Sequence, residues 1–202
     1  MTKRIILDLC GGTGAWSAPY ADAGYDVRVV TLPDNDVLTF KPPRNVHGVL
    51  AAPPCDQFSF VLNEKIKRKT ASAMRVVNAC LRIVEECKPK WWALENPIGH
   101  LVDFIGRPRF IFQPWQFGDP WTKRTGIWGN FVEPPVLYTD WNDVPKLPLY
   151  VRPGREKPNM VWLHKSSQAL IPSFARFRVE TDAAFRAITP QGFAYAFFEA
   201  NR

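Results

Sequence analysis

Four cysteines in 202 residues, none in C-x-x-C spacing, leave no basis for a structural zinc site. No apolar run approaches the ~18 residues that a membrane helix needs, and no secretory leader is legible. The chain is therefore expected to work in a cytoplasm with its thiols (Cys10, Cys55, Cys80, Cys87) reduced, with neither membrane nor metal as partner. Internal repeats are absent, and so is the G-x-x-x-x-G-K-[ST] loop of phosphate-binding ATPases. What the chain has in excess is 8 Trp and 19 Pro, which together suggest a groove walled by loops. With 46% hydrophobic and 22% charged residues, the length suits one domain over residues 1–202. A net charge of +7 hints at a polyanionic partner.

The most informative stretch is residues 48–59, GVLAAPPCDQFS. An apolar run over 49–52 stopped by two prolines reads as a buried parallel strand, and ligands in open α/β sheets gather where such strands end. Cys55 would then stand at the mouth of a cleft as a nucleophile, the plainer alternative being a small buried hydrophobe. Earlier in the chain, residues 4–9 (RIILDL) read as a strand, residues 10–14 (CGGTG) as a glycine loop and residues 15–23 as a helix that Gly24 can end. Glycines there let the backbone approach a ligand, and Asp8 could orient the loop or a ligand's ammonium group. The dinucleotide fingerprint is incomplete, because Ala15 and Trp16 stand where it would continue.

Residues 25–32 read as a second strand, followed by Asp34 and Asp36, either a turn cluster or the acid that grips a ribose. Residues 64–69 (EKIKRK), with Lys65 and Lys67, are a solvated helix start or a phosphate contact. Over residues 70–87, Val76, Val77, Cys80, Leu81, Ile83, Val84 and Cys87 recur at helical spacing, so Cys80 and Cys87 are expected in the core. Residues 91–94 (WWAL) read as another buried strand ending in Glu95, Asn96 and Pro97, which puts a carboxyl group at the same cleft for proton transfer, or to brace a loop. Residues 104–115 are expected to form a loop and a strand. Lys123 and Arg124, flanked by Trp121 and Trp128, mix cations with aromatic faces in a way that suits a base or a phosphate. Seven prolines and little periodicity mark residues 133–172 as an irregular insertion, and residues 191–200 close the chain as a helix with an apolar stripe of Phe193, Ala194, Phe197 and Phe198.

In this order, DLCGGTG, APPCDQFS, ALENP and FGDPWTKRTGIW resemble the motifs of cytosine-5 methyltransferases that use S-adenosylmethionine, over roughly residues 5–128. The resemblance implies a Rossmann-like α/β fold, mostly parallel, with helices on both faces. It implies that Cys55 adds to carbon 6 of cytosine, that Glu95 holds or protonates nitrogen 3, and that Lys123 or Arg124 reaches the carbonyl oxygen. Asp8, Cys10, Gly12, Gly14, Trp16, Asp36 and Pro54 would hold the cofactor, and Pro53, Ser59, Asn96, Lys65 and Lys67 the substrate. Cys10 replaces the family's usual adenine-stacking aromatic, a role that Trp16 could take. Residues 133–172 stand where relatives that read DNA sequence carry a large recognition region. The expected substrate is cytosine in DNA, handled by a minimal, phage-like enzyme; the alternatives are a free cytidine nucleotide, or a weakly active relic that only binds nucleic acid.

Overall fold

The computed structural model describes residues 3–60 and 69–202. Its backbone is one six-stranded sheet in the order β2-β1-β3-β4-β6-β5. The strands are β1 Ile5–Leu9, β2 Asp26–Val30, β3 Val46–Ala51, β4 Trp91–Pro97, β5 Phe110–Phe112 and β6 Thr125–Asn130. β1 through β4 are parallel, whereas β6 runs antiparallel to both β4 and β5. The mostly parallel α/β sheet expected from the sequence is thus present.

Residues of alternate parity separate onto two faces, as strand pleating requires. Leu7, Leu9, Val49, Ala51 and Leu94 meet helix α2 (Thr70–Cys87), whose Val77, Cys80 and Ile83 are fully buried. Burying each of the aliphatic side chains contributes about 1.5–3 kcal/mol. Lys88, left-handed at φ 45°, ends that helix just before Pro89. On the opposite face Ile6, Leu50, Ala93 and Ile127 meet helix α5 (Gln191–Ala200), whose expected stripe of Phe193, Ala194, Phe197 and Phe198 is buried. Phe193 stacks on Phe112 at 3.9 Å between ring centroids. Helices therefore cover both faces.

Three boundaries differ from the sequence reading. Helix α1 spans only Ala18–Asp22, not residues 15–23, because Pro19 suits the first helical turn and Ser17 before it is committed to Asp8. β4 runs on through Glu95 and Asn96 to Pro97, since β6 pairs with it as far as Pro97 opposite Thr125. β6 itself lacks an alternating pattern and was not expected. Two short helices were also unforeseen, α3 (Val102–Ile105) and α4 (Asp182–Ala187), the latter capped by the Thr181 side chain accepting from the Ala184 amide. Residues 133–172 contain only 3-10 turns, among them Trp141–Asp143 and Met160–Trp162. A third apolar cluster of Trp121, Leu149, Met160, Leu163, Phe174 and Phe185 anchors this irregular region.

Candidate active site

The strand order reverses between β1 and β3, so the loops leaving their carboxyl ends diverge and open a crevice. A cavity of about 320 Å3 lies there, within the size range of small-molecule sites. Its lining brings together Asp8, Cys10, Gly12, Trp16, Pro53, Pro54, Cys55, Glu95 and Lys123 from segments far apart in sequence.

The β3–β4 ladder stops at Ala51 opposite Leu94, and the chains part just beyond, which leaves Cys55 and Glu95 facing the gap. Asn96, 1% exposed, braces the gap by donating from Nδ2 to the Pro53 carbonyl at 3.0 Å. The Cys55 carbonyl accepts the Phe58 and Ser59 amides, both at 3.0 Å, making a tight turn behind the thiol. That turn is clamped by the loop after β4: the His100 amide donates to the Phe58 carbonyl at 2.8 Å, and a Cβ on Gly99 would stand 2.2 Å from the same oxygen. Only glycine fits at that approach.

Lys123 Nζ lies 3.5 Å from Glu95 Oε1, with both side chains about 85% shielded (14% and 15% exposed), and it donates to the Arg186 carbonyl at 3.3 Å. Burial pushes the Cys55 thiol above the ordinary cysteine range. The Lys123 charge opposes that shift, while Glu95 and Asp56 add to it. The Cys55 end of the cavity thus brings together a thiol, a carboxylate and an ammonium group.

At the β1 end Asp8 is fully buried and pushed up from 3.8 to about 6 by that burial, against the pull of Ser17. Ser17 Oγ donates to Asp8 Oδ2 at 2.5 Å, but Oδ1 has no hydrogen-bond partner among the described residues. Buried polar atoms are rarely left so. A Cβ on Gly11 would come within 2.4 Å of the Asp8 carboxylate carbon, so the loop backbone reaches the acid only because residue 11 is glycine. Gly12 has open space beyond its Cα, whereas Gly14 turns back, its amide bonding the Gly11 carbonyl at 2.9 Å, and does not line the cavity.

The other expected residues are distributed as follows. Cys10 lines the cavity but leans on the α2 core, where the Cys80 thiol donates toward it and holds it below the usual thiol range; Cys80 is pushed up in turn. Trp16 lines the cavity, yet it is 2% exposed and packs against Phe193 and Phe197 at 6.0 and 5.5 Å. Asp36 lies outside the lining and closes a turn by accepting the Leu38 amide at 2.9 Å. Arg124 is exposed and outside the lining, so of the two adjacent cations only Lys123 enters. Ser59 and Asn96 stand just behind the cavity wall, and Lys65 and Lys67 lie outside the described residues.

Sequence reasoning missed Ser17, and it missed Ala184, Ala187 and Thr189, which close the cavity from above. Only the Thr181 cap and a following Asp182 signalled α4. Among the described residues there is no cluster of metal-ligating side chains and no helix long and apolar enough to cross a membrane.

No family profile and no curated protein matches the chain. Solved structures similar to it include a candidate DNA modification methyltransferase encoded within an E. coli prophage, at 18% identity and TM-score 0.46, the match covering 63% of this chain and 47% of that one. Another is an Entamoeba histolytica methyltransferase, at 13% identity and TM-score 0.43, covering 83% of this chain and 60% of that one. The chain thus spans about half to three-fifths of the length of these structures.

Proposed function

We propose that the protein is a Rossmann-like, S-adenosylmethionine-dependent methyltransferase acting on carbon 5 of cytosine in DNA. The observation that carries the reading is the convergence of Cys55, Glu95 and Lys123 on one cavity that also reaches the glycine loop and Asp8. Unlike Cys10, which leans on the α2 core, Cys55 feels the charges of both Lys123 and Glu95.

The β1 side fits the methyl donor. Asp8 Oδ1 is an orphaned buried acceptor, and the backbone of Gly11 and Gly12 forms an open cradle beside it. Asp8 would hold the donor's cationic end, the amides of residues 11–13 its polar edges, and Pro54 its ring face. When bound, S-adenosylmethionine supplies an electrophilic methyl group on a sulfonium sulfur.

On the substrate side, the Cys55 thiolate attacks carbon 6 of cytosine and the 5,6 double bond opens toward carbon 5. Glu95 shares a proton with nitrogen 3, so the negative charge of the adduct is not stranded in a dry pocket. Lys123 offers its ammonium to the carbonyl oxygen and partly offsets the burial that disfavours the Cys55 thiolate. After carbon 5 has been methylated, its proton leaves to a base, the double bond re-forms and Cys55 departs as thiolate. A target in duplex DNA must first swing out of the stack, at a cost of a few kcal/mol.

The test supplies purified protein with methyl-labelled S-adenosylmethionine and, separately, duplex DNA, single-stranded DNA, RNA and dCMP. Label recovered as 5-methylcytosine from DNA supports the reading. Label on dCMP alone moves the substrate to the free nucleotide. Binding of cofactor and DNA with no product from any substrate replaces the enzyme with a binding relic.

A further inference from the structure

Residues 133–172 close one side of the molecule and also supply most of the lining of a second concavity. A groove of about 600 Å3 is lined by three cations, Arg152, Arg155 and Lys157, and one acid, Glu156, together with Thr122, Gly154, Asn159 and Trp162. Much of the chain's positive charge elsewhere is matched locally: Arg28 with Asp26 and Arg82 with Glu86 at 2.7 Å, Arg176 with Asp22 at 2.8 Å, Arg109 with Glu133 at 3.1 Å. Among the described residues, the side chains of Arg152, Arg155 and Lys157 have no such carboxylate partner. Two of them are held by rings instead, Arg152 over Trp162 at 4.4 Å and Lys157 over Trp115 and Trp141 at 5.1 and 5.4 Å. An aromatic face fixes a cation in place without neutralising it, so all its hydrogen-bond donors stay available.

The groove is also tied to the active cavity. The Thr122 amide donates to the Pro158 carbonyl at 2.9 Å, the Met160 amide to the Thr122 carbonyl at 3.0 Å, and Asn159 Nδ2 to Thr122 Oγ1 at 2.9 Å. Thr122 therefore forms the groove wall while its neighbour Lys123 points into the cavity beside Glu95. One strip of backbone separates the two. A mononucleotide in the cavity would use at most one phosphate site close to its base, but the groove sets three free cations in a row on the outer surface.

We propose that this groove binds the phosphodiester backbone of a polynucleotide next to the nucleotide held in the cavity, which makes the substrate a DNA strand and not a free nucleotide. This rests on the reading given above for the cavity. In a polymer complex each neutralised phosphate releases counterions, so the groove leaves a signature in the salt dependence of binding.

The experiment measures binding by fluorescence anisotropy between 50 and 200 mM NaCl, for duplex DNA, single-stranded DNA and RNA of one sequence, with dCMP measured by calorimetry. The proteins are the natural chain, Arg155→Gln, whose side chain carries no ring contact, and the triple variant Arg152→Gln/Arg155→Gln/Lys157→Gln. The expected result is a log–log salt slope on duplex DNA shallower by about 0.9 for the single variant and about 2.7 for the triple, or ~0.7 and ~2.1 on single strands. Affinity for dCMP and for S-adenosylmethionine should stay within twofold. Unchanged slopes on DNA, slopes that shift for RNA only, or a dCMP affinity that falls tenfold or more would overturn the proposal. Because binding is read without turnover, the two ideas separate. Shifted slopes with no methyl transfer keep the groove and lose the enzyme; methyl transfer to DNA with unshifted slopes does the reverse.

Discussion

The cavity and the groove lie on opposite sides of residues 122–123 and are built on opposite principles. In the cavity, charge is scarce and shielded: one carboxylate beside one ammonium, a thiol pushed up by burial, and an acid pushed up to about 6 for the same reason. In the groove, charge is abundant and open to water, and rings instead of carboxylates hold Arg152 and Lys157 in position. The difference teaches how the work is divided. Bond making needs groups whose ionisation the protein controls, which requires desolvation. Holding a polyanion needs only cations that remain unmatched until it arrives.

Substitutions inside the cavity should therefore change chemistry without changing salt dependence, and the largest effect belongs to Cys55→Ala. That variant is expected to lose methyl transfer completely while keeping the DNA salt slope of the natural chain; residual turnover would place the nucleophile elsewhere. Next in size is Glu95→Gln, which keeps the shape but cannot share a proton in the same way. Single-turnover methylation should slow by roughly 10²–10⁴-fold, the usual worth of a positioned acid or base. A change below tenfold would reduce Glu95 to a brace for Lys123.

Asp8→Asn sharpens the comparison from the stability side. Between about pH 4 and 6 the folded chain holds a proton on Asp8 that the unfolded chain has released, so stability is lost as pH rises through that window. At about 1.4 kcal/mol per unit, the shift from 3.8 to about 6 costs up to ~3 kcal/mol at neutral pH. Asp8→Asn should raise the melting temperature at pH 7.5 and flatten its pH dependence between 4 and 6. It should also weaken S-adenosylmethionine binding by about 10–100-fold, the worth of a hydrogen bond to a charged group. A gain in stability with undiminished cofactor binding would make Asp8 merely structural. The smallest effect is expected of Lys123→Met. Loss of the ammonium should push the Cys55 thiol still higher and slow its alkylation by iodoacetamide at pH 8 by roughly tenfold. In both proteins the alkylation rate should still be climbing above pH 9, because burial keeps the thiolate the minor species.

The same contrast explains what could be read without coordinates. β1, β3 and β4 are buried on both sides and announce themselves as apolar runs, and α2 repeats its apolar residues every three or four positions. The cavity inherits that legibility, since Cys55 and Glu95 sit where those runs stop. β6 was hidden because TGIWGN has no alternation; it is a strand through its two antiparallel neighbours, a tertiary cause. α4 is too short to show a period, so Ala184 and Ala187 went unrecognised as cavity wall. The groove had no local signal at all. Its cations are spaced irregularly among prolines, and only the tie between Thr122 and Asn159 gathers them beside the active cavity.

Intact-protein mass spectrometry after incubation with S-adenosylmethionine and DNA containing 5-fluorocytosine tests the central claim most directly. Fluorine cannot leave carbon 5 as the proton does, so the bond from Cys55 to carbon 6 should persist. The predicted spectrum shows protein plus methylated oligonucleotide for the natural chain and free protein for Cys55→Ala. An unmodified mass for the natural chain with cofactor bound, or an adduct that survives in Cys55→Ala, would contradict the account.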